Sequence, residues 1–256
     1  ERKEAPRLQE LVERGELPPL HERLPKNPAV VEPVNKPGRY GGIWHRYAIA
    51  SDAPGMGRLI YDPALRWSVD GLEIHPNMCW NYEISEDFRS FTFWLREGVK
   101  WSDGHPLTTE DVRFWFEDNI KNADLYPLAP NWIRIQGKLP KLEILGPYQF
   151  RFVFPYSYGL FLERVAWQGN MWMPAHYLKK FHLKYRDNAQ LEKEAEGAGF
   201  RLWFQYYQDK AAWETNPKLP MSTAWVVKND WSSYHRIFER NPYYWKVDTY
   251  GRQLPY

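Results

Sequence analysis

The apolar positions of this chain change period several times along its length, and each change marks an element. Residues 80–84 and 90–95 are dense in aromatic and β-branched types, with the polar stretch 85–89 between them. Such residues suit a pleated, half-buried surface, so the pattern predicts a hairpin. Residues 142–145 and 150–154 repeat it around Gly146 and Pro147, with Phe150, Phe152 and Phe154 at every second position. Between the hairpins the period lengthens. Val112, Trp115, Phe116 and Ile120 share one helical face over residues 109–121. Thr108 and Asp111 form a capping box at its start, and Glu110 and Asp111 place negative charge where the helix dipole favours it. The Asp103-Gly104 and His105-Pro106 pairs predict a tight connection just before it.

Helical spacing returns over residues 158–167 and 173–181, the latter with Pro174 near its N-terminus. Residues 185–216 are rich in Glu, Lys and Gln and predict one or two exposed helices. Strand character resumes at 221–227 and 234–239, on either side of Asn229 and Asp230. Upstream, prolines at 6, 18, 19, 25, 28, 33 and 37 predict an extended arm over residues 1–39, helical only at 6–14. Alternation after Gly41-Gly42 predicts a first core strand at 39–49, closed by a loop at 50–55. Residues 56–65 suggest one or two helical turns interrupted at Pro63. Strands and helices mix without strict alternation or repeat, so the fold class is mixed α/β.

Composition narrows the function. The 256 residues include 14 Trp, 17 Tyr and 13 Phe, an unusual aromatic share of the apolar mass. A net charge of +2 with no basic stripe gives no source for the counterion release that drives nucleic-acid binding, so no nucleic acid is expected as partner. No apolar run is long enough to span a bilayer. The first 36 residues contain no apolar core of a signal peptide. Cys79 is the single cysteine, which excludes an internal disulfide or thiolate metal cage and reads as a small buried hydrophobe.

Candidate chemistry is sparse. The seven histidines are scattered; His176 and His182, six apart, do not share a helical face. No metal motif, phosphate loop or nucleophile elbow occurs, so neither catalytic nor metal residues nor a cofactor are assigned. Asp103 and Glu110 are conceivable as paired carboxylates for glycoside hydrolysis, but their turn and cap positions already account for them. The tryptophans carry more. Most fit core faces, whereas Trp167, Trp172, Trp225 and Trp231 lie near element ends, where a flat ring with one donor can line a binding cleft.

Four stretches then carry a resemblance. Tyr40-Gly41-Gly42-Ile43-Trp44, the long block from Trp80 to Val112 with Trp101-Ser102-Asp103-Gly104-His105-Pro106-Leu107-Thr108-Thr109-Glu110-Asp111 at its centre, Met173-Pro174-Ala175-His176, and Arg240-Asn241-Pro242-Tyr243-Tyr244-Trp245 resemble the extracellular solute-binding proteins of family 5, the oligopeptide- and oligosaccharide-binding subunits of ABC importers. The match spans residues 40–256. The resemblance implies a periplasmic-binding-protein-like type II fold, seen here as a first lobe of two subdomains with the second lobe absent from this chain. It divides the chain into the arm at 1–39, a first subdomain at 40–66 and 175–250, an inserted subdomain at 67–174, and the start of the crossover to the missing lobe at 251–256.

By the same resemblance the function is capture of an oligopeptide or oligosaccharide between two lobes, outside the cytoplasm, for delivery to a membrane ABC permease. The full-length protein is expected to be monomeric and non-enzymatic. Ser51, Asp52 and Ala53, at the end of the opening strand, are the family's solute contacts. Trp225, Trp167 and Trp172 join them as candidates, although Met221-Ser222-Thr223-Ala224-Trp225 replaces the family's Gly-Thr-Gly-Pro-Tyr loop. A carbohydrate-active enzyme or fixed carbohydrate-binding module is the alternative, and a nickel- or haem-binding relative has little support from the scattered histidines. Peptide against sugar stays open, with the tryptophans tilting the balance to sugar.

Overall fold

The N-terminal arm folds onto the body. The computed structural model describes residues 3–47, 57, 59–168, 170–214, 216–230 and 232–256. The arm contains α1 (Pro6–Glu13), with Pro at its first turn, the short α2 (Leu20–Arg23) and β1 (Ala29–Val31). Arg23 is fully buried and is satisfied by the Glu4 carboxylate, the carbonyls of Pro18 and Pro242, and the Gln253 side chain. A buried guanidinium left unpaired would be costly, so these partners pin the arm. The Lys26 amide also donates to the Glu97 carbonyl at 3.0 Å. Gly98 lies beneath this contact at φ 89°, where a Cβ would meet Pro25 Cα at 3.3 Å.

The strand expected at 39–49 does not form within residues 41–47. Gly41 and Gly42 both take positive φ, and Trp44 and Tyr47 stand 68% and 99% exposed. Alternation marks a strand only where a neighbour completes the ladder, and among the described residues no strand pairs with this segment. Residues 48 and 49 lie outside the described residues. Leu65, expected at the end of helical turns, instead opens β2 (Leu65–Trp67), which pairs antiparallel with β3 (Ile74–Pro76).

Both predicted hairpins form and join. β4 (Cys79–Ile84), β5 (Ser90–Leu95), β6 (Lys141–Gly146) and β7 (Gln149–Val153) make a four-stranded antiparallel sheet in the order β4-β5-β7-β6. Register places Phe91 opposite Phe152 and Phe93 opposite Phe150, so four rings share one buried face. Each buried ring contributes about 1.5–3 kcal/mol of transfer free energy. Phe161 is the hub, with centroids 4.9 Å from Phe91 and 4.7 Å from Phe154. It belongs to α4 (Phe161–Gln168), which lies over the sheet.

The helix between the hairpins begins as α3 (Thr109–Arg113) with the predicted capping box: Thr108 Oγ1 accepts from the Glu110 amide, and Asp111 Oδ2 from the Thr108 amide. Val112, Trp115, Phe116 and Ile120 are all buried, as expected. From Phe114 to Ile120, however, the turns widen into a π-helix. Asn119 Nδ2 donates to the Phe114 carbonyl at 2.9 Å, and the wider turns carry Phe114, Asp118 and Asn119 inward as well.

That inward face meets a second apolar cluster. The short α5 (Ala175–Leu178) follows Pro174. α6 (Asn188–Gly197) and α7 (Trp203–Ala211) then pack Leu191, Trp203 and Tyr207 with Leu178 and Phe114. These two helices are therefore amphipathic, not wholly exposed. The final strands are shorter than predicted: β8 (Trp225–Val227) pairs with β9 (Phe238–Arg240), and β10 (Lys246–Asp248) runs parallel to β1.

Candidate functional site

Three clusters bring chemistry-bearing side chains together. The first joins the Ser102–Pro106 turn to α5. Asp103 Oδ2 accepts from His176 Nε2 at 2.7 Å, and the His176 and His105 rings stack at 3.9 Å with 3° between planes. Burial pushes the Asp103 carboxyl up, yet hydrogen bonds from His176 and from the His105 amide outweigh it and hold it below its usual range. Beside them the bond from Arg113, opposed by partial burial and reinforced by Lys179, holds Glu110 down at about 2. Burial pushes the neighbouring Asp111 up despite the amides it accepts. Among the described residues no group of three or more His, Cys, Asp or Glu is placed to hold a metal.

The second cluster is a concavity of about 340 Å3 bordered by Glu117, Asp118, Asp124, His182, Lys184 and Trp203. Its polar groups are already engaged. Asp118 accepts from Lys184 and Tyr185, Trp203 Nε1 donates to Asp124 at 3.2 Å, and His182 donates through Nε2 to the Asp118 carbonyl at 2.9 Å. His182 Nδ1 in turn accepts the Lys184 amide at 3.1 Å, and burial pushes the ring's pKa down. This is a satisfied polar network supporting the π-helix.

The third is an open groove of about 540 Å3 lined by Trp67, Gly71, Glu163, Arg164 and Trp167. α4 turns Phe161, Leu162, Val165 and Ala166 to the core, which leaves Glu163, Arg164 and Trp167 on its outer face. The facing wall is the turn between β2 and β3. Tyr61 Oη lies 2.6 Å from the Ala166 carbonyl and 3.0 Å from that of Trp167, satisfying carbonyls that a helix end leaves without intrahelical partners.

The sequence-derived candidates distribute unevenly. Trp167 is in this groove, 68% exposed. Trp172 is 3% exposed, and its Nε1 donates to Ser222 Oγ at 3.1 Å, so it faces the main core and not an open cleft. Trp225 is half-buried on β8 with the Arg240 guanidinium 5.4 Å from its ring centroid, and it does not line the groove. Ser51, Asp52 and Ala53 lie outside the described residues, as does Trp231. Sequence reasoning missed Trp67, Glu163 and Arg164. The i, i+4 spacing of Glu163 and Trp167 opposite the apolar face of α4 was the available signal; that Trp67 would face them depends on tertiary packing.

No helix among the described residues is long and apolar enough to cross a membrane. The family model for bacterial extracellular solute-binding proteins, family 5 Middle, matches residues 73–256. The periplasmic alpha-galactoside-binding protein of Rhizobium meliloti (strain 1021) is 31% identical over 271 residues, covering 97% of this chain and 37% of that protein. An oligopeptide-binding protein OppA superposes on the whole chain with a TM-score of 0.94 at 41% identity, using 40% of its own length. MelB of Agrobacterium fabrum C58, a periplasmic binding protein solved with stachyose, superposes on the whole chain with a TM-score of 0.72 at 26% identity, again over 40% of its length. The chain thus spans about two fifths of these relatives, and its mixed α/β architecture is that of one lobe of a type II solute-binding protein. It belongs to the bacterial extracellular solute-binding proteins of family 5.

Proposed function

We propose that this chain is the first lobe of a solute receptor that works outside the cytoplasmic membrane, capturing an oligosaccharide or oligopeptide between two lobes for an ABC permease. The observation that carries the reading is the superposition of the entire chain on a lobe-sized part of OppA. Solute touching both lobes only in the closed state lowers the free energy of that state alone, so binding shifts the population towards closure. The permease then reads the closed form. Within the lobe, residues 40–66 and 175–250 act as one subdomain and 67–174 as an inserted one, with 1–39 as the arm and 251–256 leading to the second lobe. Among the tryptophans, Trp167 and Trp225 serve as solute contacts.

A hydrolase reading is disfavoured by electrostatics. A general acid must hold its proton near neutral pH. Glu110, at about 2, and Asp103, held below its usual range, are both ionised there. The test is calorimetric titration of the intact receptor with stachyose and with tri-alanine, followed by recovery of the solute. Saturable binding of either solute, recovered uncleaved, is expected. Cleavage lost on Asp103→Asn or Glu110→Gln would overturn the reading.

A further inference from the structure

Building on the receptor reading, we propose that the groove between Trp67 and Trp167 is a subsite for one pyranose ring of a neutral oligosaccharide. Its volume of about 540 Å3 falls within the about 300–1,000 Å3 of small-molecule sites. Trp167 is 68% exposed on a helix whose other apolar side chains are buried. A pyranose presents a C–H face to such a ring and a hydroxyl edge beside it, the amphipathic match that an indole makes.

The platform is held in place before any ligand arrives. Tyr61 fixes the last turn of α4 through the Ala166 and Trp167 carbonyls. Across the groove, the Ser68 hydroxyl donates to Asp70 Oδ1, which also accepts the Leu72 amide at 3.1 Å, and Gly71 turns at φ 73°. Both walls are thus locked by short polar contacts, and holding the walls in advance lowers the ordering cost of binding.

Charge selects the ligand class. Glu163 and Arg164 are adjacent, exposed and of opposite sign. The carboxylate accepts from hydroxyls and the guanidinium donates to them, while the zero net charge of the pair gives a ligand of single charge no net attraction. A neutral polyol satisfies both. The amides of α4 are bonded within the helix, so that wall offers none of the main-chain pairing that holds an extended peptide.

The test is calorimetric titration of the intact receptor with stachyose and with tri-alanine, for the parent protein, Trp167→Ala and Trp167→Phe. Circular dichroism checks that these exposed-site variants fold. Trp167→Ala is expected to raise the stachyose Kd about tenfold or more, equivalent to about 1.4 kcal/mol. Trp167→Phe, which keeps a stacking face, loses less. An unchanged stachyose Kd in Trp167→Ala overturns the subsite and leaves the receptor reading standing, as does a parent protein that binds tri-alanine and not stachyose. Equal weakening of both solutes also overturns it, since Trp167 would then be touching the second lobe. A parent protein that binds neither solute overturns both readings.

Discussion

Asp111 Oδ1 accepts the backbone amide of Ala175 at 3.0 Å, joining two segments 64 residues apart. The other oxygen of the same carboxylate accepts the Thr108 amide at 3.0 Å and Trp101 Nε1 at 3.2 Å. One cap residue therefore ties the start of α3 to the turn before it and to α5. Asp111→Ala strands three donors in a buried site, and each buried unsatisfied group costs about 1–3 kcal/mol. The variant should lose about 3 kcal/mol or more in chemical denaturation of the full-length protein. A loss below about 1 kcal/mol would contradict this linkage.

Trp172 and Trp167, five residues apart, should respond oppositely. Truncating a buried Trp to Ala typically costs about 3–5 kcal/mol. Trp172→Ala should fall in that range, and Trp172→Phe, which keeps a ring but loses the bond to Ser222, should lose less and leave solute affinity within about twofold. Trp167→Ala should barely shift the melting temperature. Paired thermal melts and titrations decide the matter.

Lys246 and Asp62 form a buried ion pair at 2.5 Å, with Tyr244 Oη donating to the other Asp62 oxygen at 2.8 Å. Burial pushes the Lys246 pKa down, opposed by the Asp62 charge. Removing one partner of such a pair leaves an uncompensated charge and typically costs about 3–5 kcal/mol, whereas apolar replacement of both is often near neutral. Asp62→Leu should be severely destabilised, and Asp62→Leu combined with Lys246→Met should regain most of the loss. A double variant as unstable as the sum of the singles would contradict the pairing.

Glu110 gives a pH signature. Its folded pKa of about 2 lies below the ordinary 4.5, so its contribution is present above about pH 4.5 and is lost as pH falls towards 2. The side chain is 46% exposed, and solvent screening limits the effect to about 1 kcal/mol or less. Glu110→Gln should be slightly less stable than the parent at pH 7, with the gap closing by pH 2. Denaturation midpoints at pH 7, 4 and 2 test it.

Local signals were legible in the sequence where the determinant lay within a dozen residues. Both hairpins, the capping box at Thr108 and the buried faces of Val112 to Ile120 follow from alternation, turn chemistry and helical spacing. The segment 39–49 alternated just as clearly, yet among the described residues no strand pairs with residues 41–47. Alternation says which face an element would bury, not whether a neighbour exists. The π-helix is accompanied by a bond from the Asn119 side chain to the Phe114 carbonyl, a pairing that the helical pattern alone does not encode. The groove was half visible. Trp167 stood out as a ring near a helix end, whereas Trp172 carried the same signal and turned inward to Ser222. The facing of Trp67 and Trp167 and the His105–His176 stack join residues 100 and 71 positions apart, beyond any spacing rule.

Small-angle X-ray scattering of the full-length protein, recorded without solute and with saturating stachyose or tri-alanine, tests the proposed receptor function most directly. Closure of two lobes on the bound solute predicts a decrease in radius of gyration with the solute recovered intact. An unchanged radius at saturation, or turnover of the solute, would contradict it.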